Sequence, residues 1–316
     1  MLSTVLESGN TLIKSWEKLI EAEGGIAEIR VDDYVKTFTS CIFSNVMFGR
    51  YEAAEKVLFS KCRDLMEVSG SPTVIDGRPF YRFYPTKTHR QQWRLEKEIY
   101  GIIQEMEMKC RSEGESIIQT LVYGSKHREL GTSTPQQIIV DNCKELCIVA
   151  MEVPGITAIW GLMLLALHPD WQARARSKVL EICGGQILDA EKLGKMKVLK
   201  MTIQEILRLY SRVGFIAGEA LADVQIWKKV CVPKGVKFGY GQQLCTETRS
   251  SGAYTPFGLG PRTCPGMNLG MMELKVMFAI LLAKFFFSLS PNYQHVPKFD
   301  VLVEPKYGVK LLVRKV

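Results

Sequence analysis

Phe257-Gly258-Leu259-Gly260-Pro261-Arg262-Thr263-Cys264-Pro265-Gly266 is the stretch on which the reading of this chain turns. One cysteine lies between two glycine-rich turns, with an arginine two residues before it. An apolar helical pattern, about 267–287, follows at once. A helix N-terminus carries partial positive charge and unpaired N–H groups. Both favour the thiolate form of a cysteine placed there, the form that binds metal. The competing reading of Cys264 is a buried free cysteine. A phosphate-cradling loop fits less well, because Thr263 stands where a third glycine would fall and no strand–helix–strand pattern surrounds it.

The stretch resembles the haem-binding loop of cytochromes P-450, Phe-Gly-x-Gly-x-Arg-x-Cys-x-Gly, with every fixed position filled. Glu205-Ile206-Leu207-Arg208 resembles the Glu-x-x-Arg pair of that family's helix K. Asn142-Cys143-Lys144, the run from Trp160 to Trp171 and Gln172-Ala173-Arg174-Ala175-Arg176 resemble plant members of the 72 clan, those that oxidise gibberellins above all. The resemblance implies a mainly α fold with a small β part, a cytochrome P-450 fold without its N-terminal portion and without the segment before the haem loop. It implies one partial domain over 1–316, with helix I at about 135–168, helix K at about 199–210, the haem loop at 257–266 and helix L at about 267–287. The implied cofactor is haem b (iron protoporphyrin IX), with electrons from NADPH through a reductase. Cys264 would be the axial iron ligand, as in haem proteins whose thiolate favours O–O cleavage. Arg262 would pair with a haem propionate through its fork of donors; a surface cation is the plainer alternative. Phe257 would shield the sulfur. Gly258 belongs to the same cofactor-binding set, and Gly266 would leave the backbone room beside the porphyrin. With Pro265 lacking an N–H, Gly266 and Met267 are the expected donors to the sulfur.

Several departures accompany the match. In the family the helix K pair holds the haem loop through a third arginine from a segment after the strand near Val236. Only Gly241 to Ala253 lies there, and it contains nothing similar, so Glu205 and Arg208 are expected to lack that partner. The oxygen-side motif falls on Val149-Ala150-Met151-Glu152-Val153-Pro154. Its acid survives as Glu152, the expected catalytic residue of a proton path. Its threonine is Pro154, which donates no hydrogen bond and disrupts helices. Thr157 lies nearly one turn further on. Gly218 stands where an arginine is usual. Arg212 to Ala217, Met151 to Ile156 and Val301 to Glu304 would line a mostly apolar pocket for a bulky lipophilic substrate such as a diterpenoid, with plain core packing the alternative. These departures leave a second reading open: a truncated, inactive relative that binds haem weakly or not at all.

The 316 residues are 47% hydrophobic, enough for a sizeable core, and carry a net charge of +8. The basic residues are scattered without a nucleic-acid motif, so no nucleic-acid partner is expected. A basic face would rather dock an acidic redox partner, the reductase of the resemblance, or an anionic membrane. Nine cysteines, irregularly spaced and without a Cys-x-x-Cys pair, argue for a reducing compartment. The family implies the cytosolic face of the endoplasmic reticulum membrane. The amphipathic pattern from Met1 to Trp16 is no anchor, which leaves a cytoplasmic location open. Leu146 to Leu167 is long enough to cross a membrane, but Glu152, Pro154, Gly155 and Gly161 lie in it. A central helix of a large core is the expected role. Further helices are expected at roughly 1–22, 31–48, 51–69 and 89–112. Strands are expected at Lys229 to Val232 and Val236 to Tyr240, and a C-terminal hairpin is expected to join Val301–Glu304 to Val309–Val313.

Overall fold

The computed structural model describes residues 2–49, 53–69, 84–110, 116–126, 133–186, 188–210, 215–226, 230–241, 255–299 and 302–316. Helix dominates. α1 (Leu2–Ala22) and α2 (Val31–Phe48) flank a short strand, β1 (Ile26–Arg30). Then come α3 (Ala53–Ser69), α4 (Lys87–Cys110), α5 (Ile117–Lys126) and the long α6 (Pro135–Leu167). α7 (Pro169–Cys183), α8 (Ala190–Lys195) and α9 (Lys197–Leu209) follow. Two antiparallel pairs come next. β2 (Phe215–Glu219) pairs with β5 (Lys237–Gly241), and β3 (Val224–Ile226) with β4 (Val230–Val232). α10 (Met267–Lys284) leads into β6 (Phe285–Leu289), β7 (Pro297–Phe299), β8 (Val303–Pro305) and β9 (Lys310–Lys315).

α6 organises the molecule. Thr134 caps its start: the hydroxyl accepts from Gln137 N–H at 3.2 Å, and the Gln137 side chain accepts from Thr134 N–H at 2.9 Å. This reciprocal pair satisfies two end groups that a helix leaves open. Pro135 opens the first turn, where its missing N–H costs nothing. Beyond Met151 the helix is apolar on nearly every side and buried, with Ile159, Trp160 and Leu162 fully covered. Its length and composition suffice to cross a membrane, yet most of that window is buried in the protein's own core.

Two apolar clusters meet along α6. One joins it to α1, α2, α9, α10 and the C-terminal strands through Trp16, Phe38, Phe278 and Phe287. The other packs α3, α4 and α5 through Leu58, Cys62, Ile99 and Ile118, with Cys143 and Cys147 of α6. Gln172 of α7, fully buried, ties the first cluster to the sheet. Its amide donates to Leu165 O and Phe287 O and accepts from Phe287 N–H.

The C-terminal hairpin expected from the sequence is not formed. β8 pairs with β7, opposing Phe299 to Val303, while β9 lies between β1 and β6 in an antiparallel sheet. The reason is local. The Asp32 carboxylate accepts the Val309 N–H at 2.7 Å, and Val309 O accepts from Val31 N–H at 3.0 Å. These bonds draw the strand to the start of α2, where Leu311 and Val313 become fully buried. The apolar run after the haem-like loop also ends as a helix at Lys284. Phe285 and Phe287 then alternate inward as a strand.

Candidate haem-thiolate site

The loop before α10 is built by its glycines. Gly258 and Gly260 have φ of 73° and 70°, a region that side chains with a Cβ strongly disfavour. Gly258 N–H bonds Thr255 O, and Cys264 N–H returns to Phe257 O at 2.8 Å, closing the loop. Thr263 adds two bonds to Gly260 O, one from its N–H and one from its hydroxyl. Phe257 packs on the main core, fixing the loop's base. Cys264 is thus held half-buried, three residues before the first residue of α10. A Cβ added at Gly266 would stand 3.9 Å from the Cys264 sulfur. The Arg262 side chain lies outside the described residues. The Met267 N–H goes to the Cys264 carbonyl at 3.4 Å instead of the sulfur, which differs from the expectation. The carbonyl ends the loop's turn and meets that N–H first.

A cavity of about 630 Å³ opens beside the loop, lined by Phe257, Gly258, Leu259, Met267, Met271 and Lys275 among others; Cys264 does not face it. Lys275 spans this wall, donating to Leu193 O at 3.0 Å.

Glu205 and Arg208 pair with each other, Arg208 Nε and Nη2 donating to the two carboxylate oxygens at 2.8 and 2.6 Å. The guanidinium bonds hold the Glu205 carboxyl below its ordinary range. The pair is largely exposed, so it adds a few tenths of a kcal/mol at most, roughly. The segment 242–254, from which their third partner would come, lies outside the described residues.

Glu152 is 3% exposed and is not free. Arg63 of α3 donates to its Oε1 from Nε at 2.8 Å and also from Nη2. Lys36 of α2 lies 3.7 Å from Oε2 and 3.5 Å from Glu304. Four elements therefore meet at one buried carboxylate. The sequence reading found Glu152 and missed Arg63, Lys36 and Glu304. A usable signal was there: an acid inside an apolar helix needs a cation, and α2 and α3 carry lysine and arginine on faces that are otherwise half apolar.

Of the expected lining, Glu152 and Ile156 meet Leu302 and Glu304 at a cavity of about 50 Å³ with Lys36 and Arg63 in its wall. That volume suits a water molecule or two at roughly 30 Å³ each. A bulky apolar ligand does not fit it, because the ion-paired side chains fill the space. Of the rest of the expected lining, 212–214 and Val301 lie outside the described residues, and 215–217 are described only as backbone of β2. Pro154 sits inside α6, and Thr157 spends its hydroxyl on Val153 O at 2.7 Å while fully buried.

These residues suit a haem. No group of three or more His, Cys, Asp or Glu side chains among the described residues could hold a bare ion. A metal that brings its other ligands with it, as the iron of a porphyrin does, suits a single thiol presented in this way.

The Cytochrome P450 family profile matches residues 1–243 and 238–313, the two stretches meeting where the sequence places the shortened segment. Cytochrome P450 714C2 of Oryza sativa subsp. japonica is 36% identical over all of this chain and 66% of its own length. Cytochrome P450 714B3 of Zea mays is 34% identical and covered over 63%; 714A2 of Arabidopsis thaliana is 31% identical and covered over 67%. The chain thus spans about two thirds of the length of these relatives. The alignment to the rice relative runs over 343 positions against the 316 residues here, so the relative holds residues without a counterpart. The crystal structure of the cytochrome P450DA heme domain superposes with a TM-score of 0.81 over 99% of this chain and 72% of that one, at 20% identity. A second P450, CYP102L1, gives 0.82 over 98% and 76%, at 17% identity. At such identities the two crystal structures speak for the fold alone. With the profile covering nearly every residue and relatives at 31–36% identity, the chain belongs to the cytochrome P450 family.

Proposed function

We propose that this chain is a haem-thiolate monooxygenase, placing one atom of O2 into a lipophilic small molecule with electrons from NADPH through a reductase. The observation that carries this reading is the closed loop presenting Cys264 at the start of α10. On this reading α6 is helix I, α9 helix K and α10 helix L, and Cys264 would hold haem b. When bound, the haem supplies oxygen activation. Cys264 would supply the thiolate ligand to its iron, and Phe257 would keep water from the sulfur. Gly258 and Gly266 would let the backbone approach the haem, and Arg262 would hold a propionate. Glu152 is the acid of the proton path; to pass a proton inward its carboxylate must leave Arg63, so that ion pair sets when it is available. The substrate class, a diterpenoid such as a gibberellin, rests on the likeness to gibberellin-oxidising plant members of the 72 clan. The net charge of +8 suits an acidic reductase, on the cytosolic face of the endoplasmic reticulum membrane.

The test is a spectrum. The protein is expressed with haem supply, reduced and exposed to carbon monoxide. The expected result is a strongly red-shifted, thiolate-type Soret band that Cys264→Ala abolishes. Failure to take up haem overturns the reading.

Pro154 favours a second reading, a haem-binding relative with little turnover. The proline offers no hydroxyl, and Thr157 has committed its own to Val153 O. If this holds, a haem-loaded protein consumes NADPH with little product, and Pro154→Thr raises product per NADPH. An unchanged ratio counts against it.

A further inference from the structure

Away from the Cys264 loop, four oxidisable side chains gather around one imidazole. Trp160 of α6 is fully buried, and its indole N–H bonds Val303 O at 2.9 Å. Tyr210, which ends α9, stacks on it with ring centres 4.3 Å apart and planes 17° apart. His295, exposed between β6 and β7, stands edge-on to both rings at 5.7 and 6.2 Å. The Tyr293 hydroxyl lies 2.8 Å from His295 Nδ1, and the Tyr210 hydroxyl 3.4 Å from Nε2. The Tyr293 oxygen is also 3.1 Å from the Met163 sulfur.

Packing alone does not account for this choice of partner. A buried phenol is satisfied by any acceptor, most often a backbone carbonyl. A carbonyl cannot take the phenol's proton; an imidazole can. One-electron oxidation of a phenol in a partly apolar place is held back by its proton, which has nowhere to go. Burial raises both phenols, Tyr293 to about 12, so the phenolate does not form first. Electron and proton must then leave together, and a base in hydrogen-bond contact makes that feasible. The stacked Trp160–Tyr210 pair supplies ring-to-ring overlap from the buried helix outward.

We propose that Tyr293 is a redox-active tyrosine, with His295 as its proton acceptor and the Trp160–Tyr210 stack as its electron path to the interior. In the step, Tyr293 loses one electron to a one-electron outer-sphere oxidant, which is reduced. The phenolic proton crosses to His295 Nδ1. The products are a neutral tyrosyl radical, an imidazolium and the reduced oxidant. The device gives an oxidising equivalent formed inside the protein a way to the surface. It does not depend on whether Cys264 holds iron.

The test uses the purified chain and a photogenerated ruthenium(III) polypyridyl ion as oxidant, with electron paramagnetic resonance as the readout. The wild type is expected to give a persistent neutral tyrosyl signal that forms more slowly in D2O. Tyr293→Phe loses that signal, whereas Tyr307→Phe, at a more exposed ring, keeps it. His295→Gln preserves a hydrogen-bonding side chain without a base. It is expected to lose the persistent signal and the D2O effect. His295 is exposed, so this variant is expected to fold, and it decides the matter even if Tyr293→Phe does not fold. A signal that survives Tyr293→Phe, or that His295→Gln leaves unaltered, overturns the proposal.

Discussion

Glu152 shows how one charge inside a helix constrains its neighbours. A carboxylate 3% exposed costs several kcal/mol unless it is paired, roughly. Arg63 supplies two donors to one oxygen, and Lys36 supplies a weaker contact to the other while also serving Glu304. Arg63→Met removes the main partner and leaves Lys36. The Arg63 side chain is itself about a third exposed, so water softens the loss. The expected destabilisation is about 2 kcal/mol, read from urea unfolding. Adding Glu152→Gln to Arg63→Met removes the orphaned charge and should recover part of that. If Arg63→Met unfolds at the wild-type urea concentration, the carboxylate is solvated and the pair is incidental. That Glu152 needs a cation was legible in the sequence, but which cation was not, because Arg63 and Glu152 lie 89 residues apart and only the packing of α3 on α6 brings them together.

At the scale of elements, α6 is held by close approach as much as by burial. A Cβ added at Gly161 would lie 2.5 Å from Phe278 Cζ and 2.7 Å from Ile206 Cδ1, where α10 and α9 cross α6. Gly161→Ala therefore overpacks the crossing and is expected to cost about 1–3 kcal/mol. Gly155→Ala meets nothing nearer than the Thr39 hydroxyl, at 3.3 Å, and should cost less. Thermal unfolding of the two variants checks the order; equal losses would mean that the crossing relaxes freely. In the sequence Gly161 counted only against a membrane span, since nothing local reveals which helix passes over a glycine. Periodicity, by contrast, predicted a helix at 31–48, and α2 is Val31–Phe48, because its apolar positions recur at helical spacing. The strand β9 was legible as a strand but its partners were not. An alternating run states which face is buried, and here a carboxylate on a distant helix, Asp32, selects the register. The candidate site divides in the same way. The loop was readable because its glycines and cysteine act locally. The clasp on Glu152 was not, because it is made by three separate helices and a strand.

Across the whole molecule, one buried acid should dominate the dependence of stability on pH. Glu273 of α10 is 2% exposed, and its Oε2 has no hydrogen-bond partner among the described residues. Burial pushes its carboxyl up to about 8, from an ordinary 4.5. Between those values the folded protein keeps a proton that the unfolded chain has released. This contribution is fully present below pH 4.5 and is lost as pH rises through 8. Burial moves Asp32 in the same direction. Glu28, Glu98, Asp189 and Glu205 are shifted downward by their hydrogen bonds, so their contributions change only at more acid pH. From pH 5 to 8.5, roughly the window set by Glu273, stability should therefore fall. One pKa unit corresponds to about 1.4 kcal/mol, which makes the swing several kcal/mol before any local relaxation. Glu273→Gln keeps the shape and cannot ionise. It should match the wild type near the acid end and exceed it at the alkaline end, flattening the curve. Urea unfolding of both proteins at a series of pH values measures this directly. Parallel curves would show that the ionised carboxylate finds a partner, and that the interior around α10 is wetter than its packing indicates.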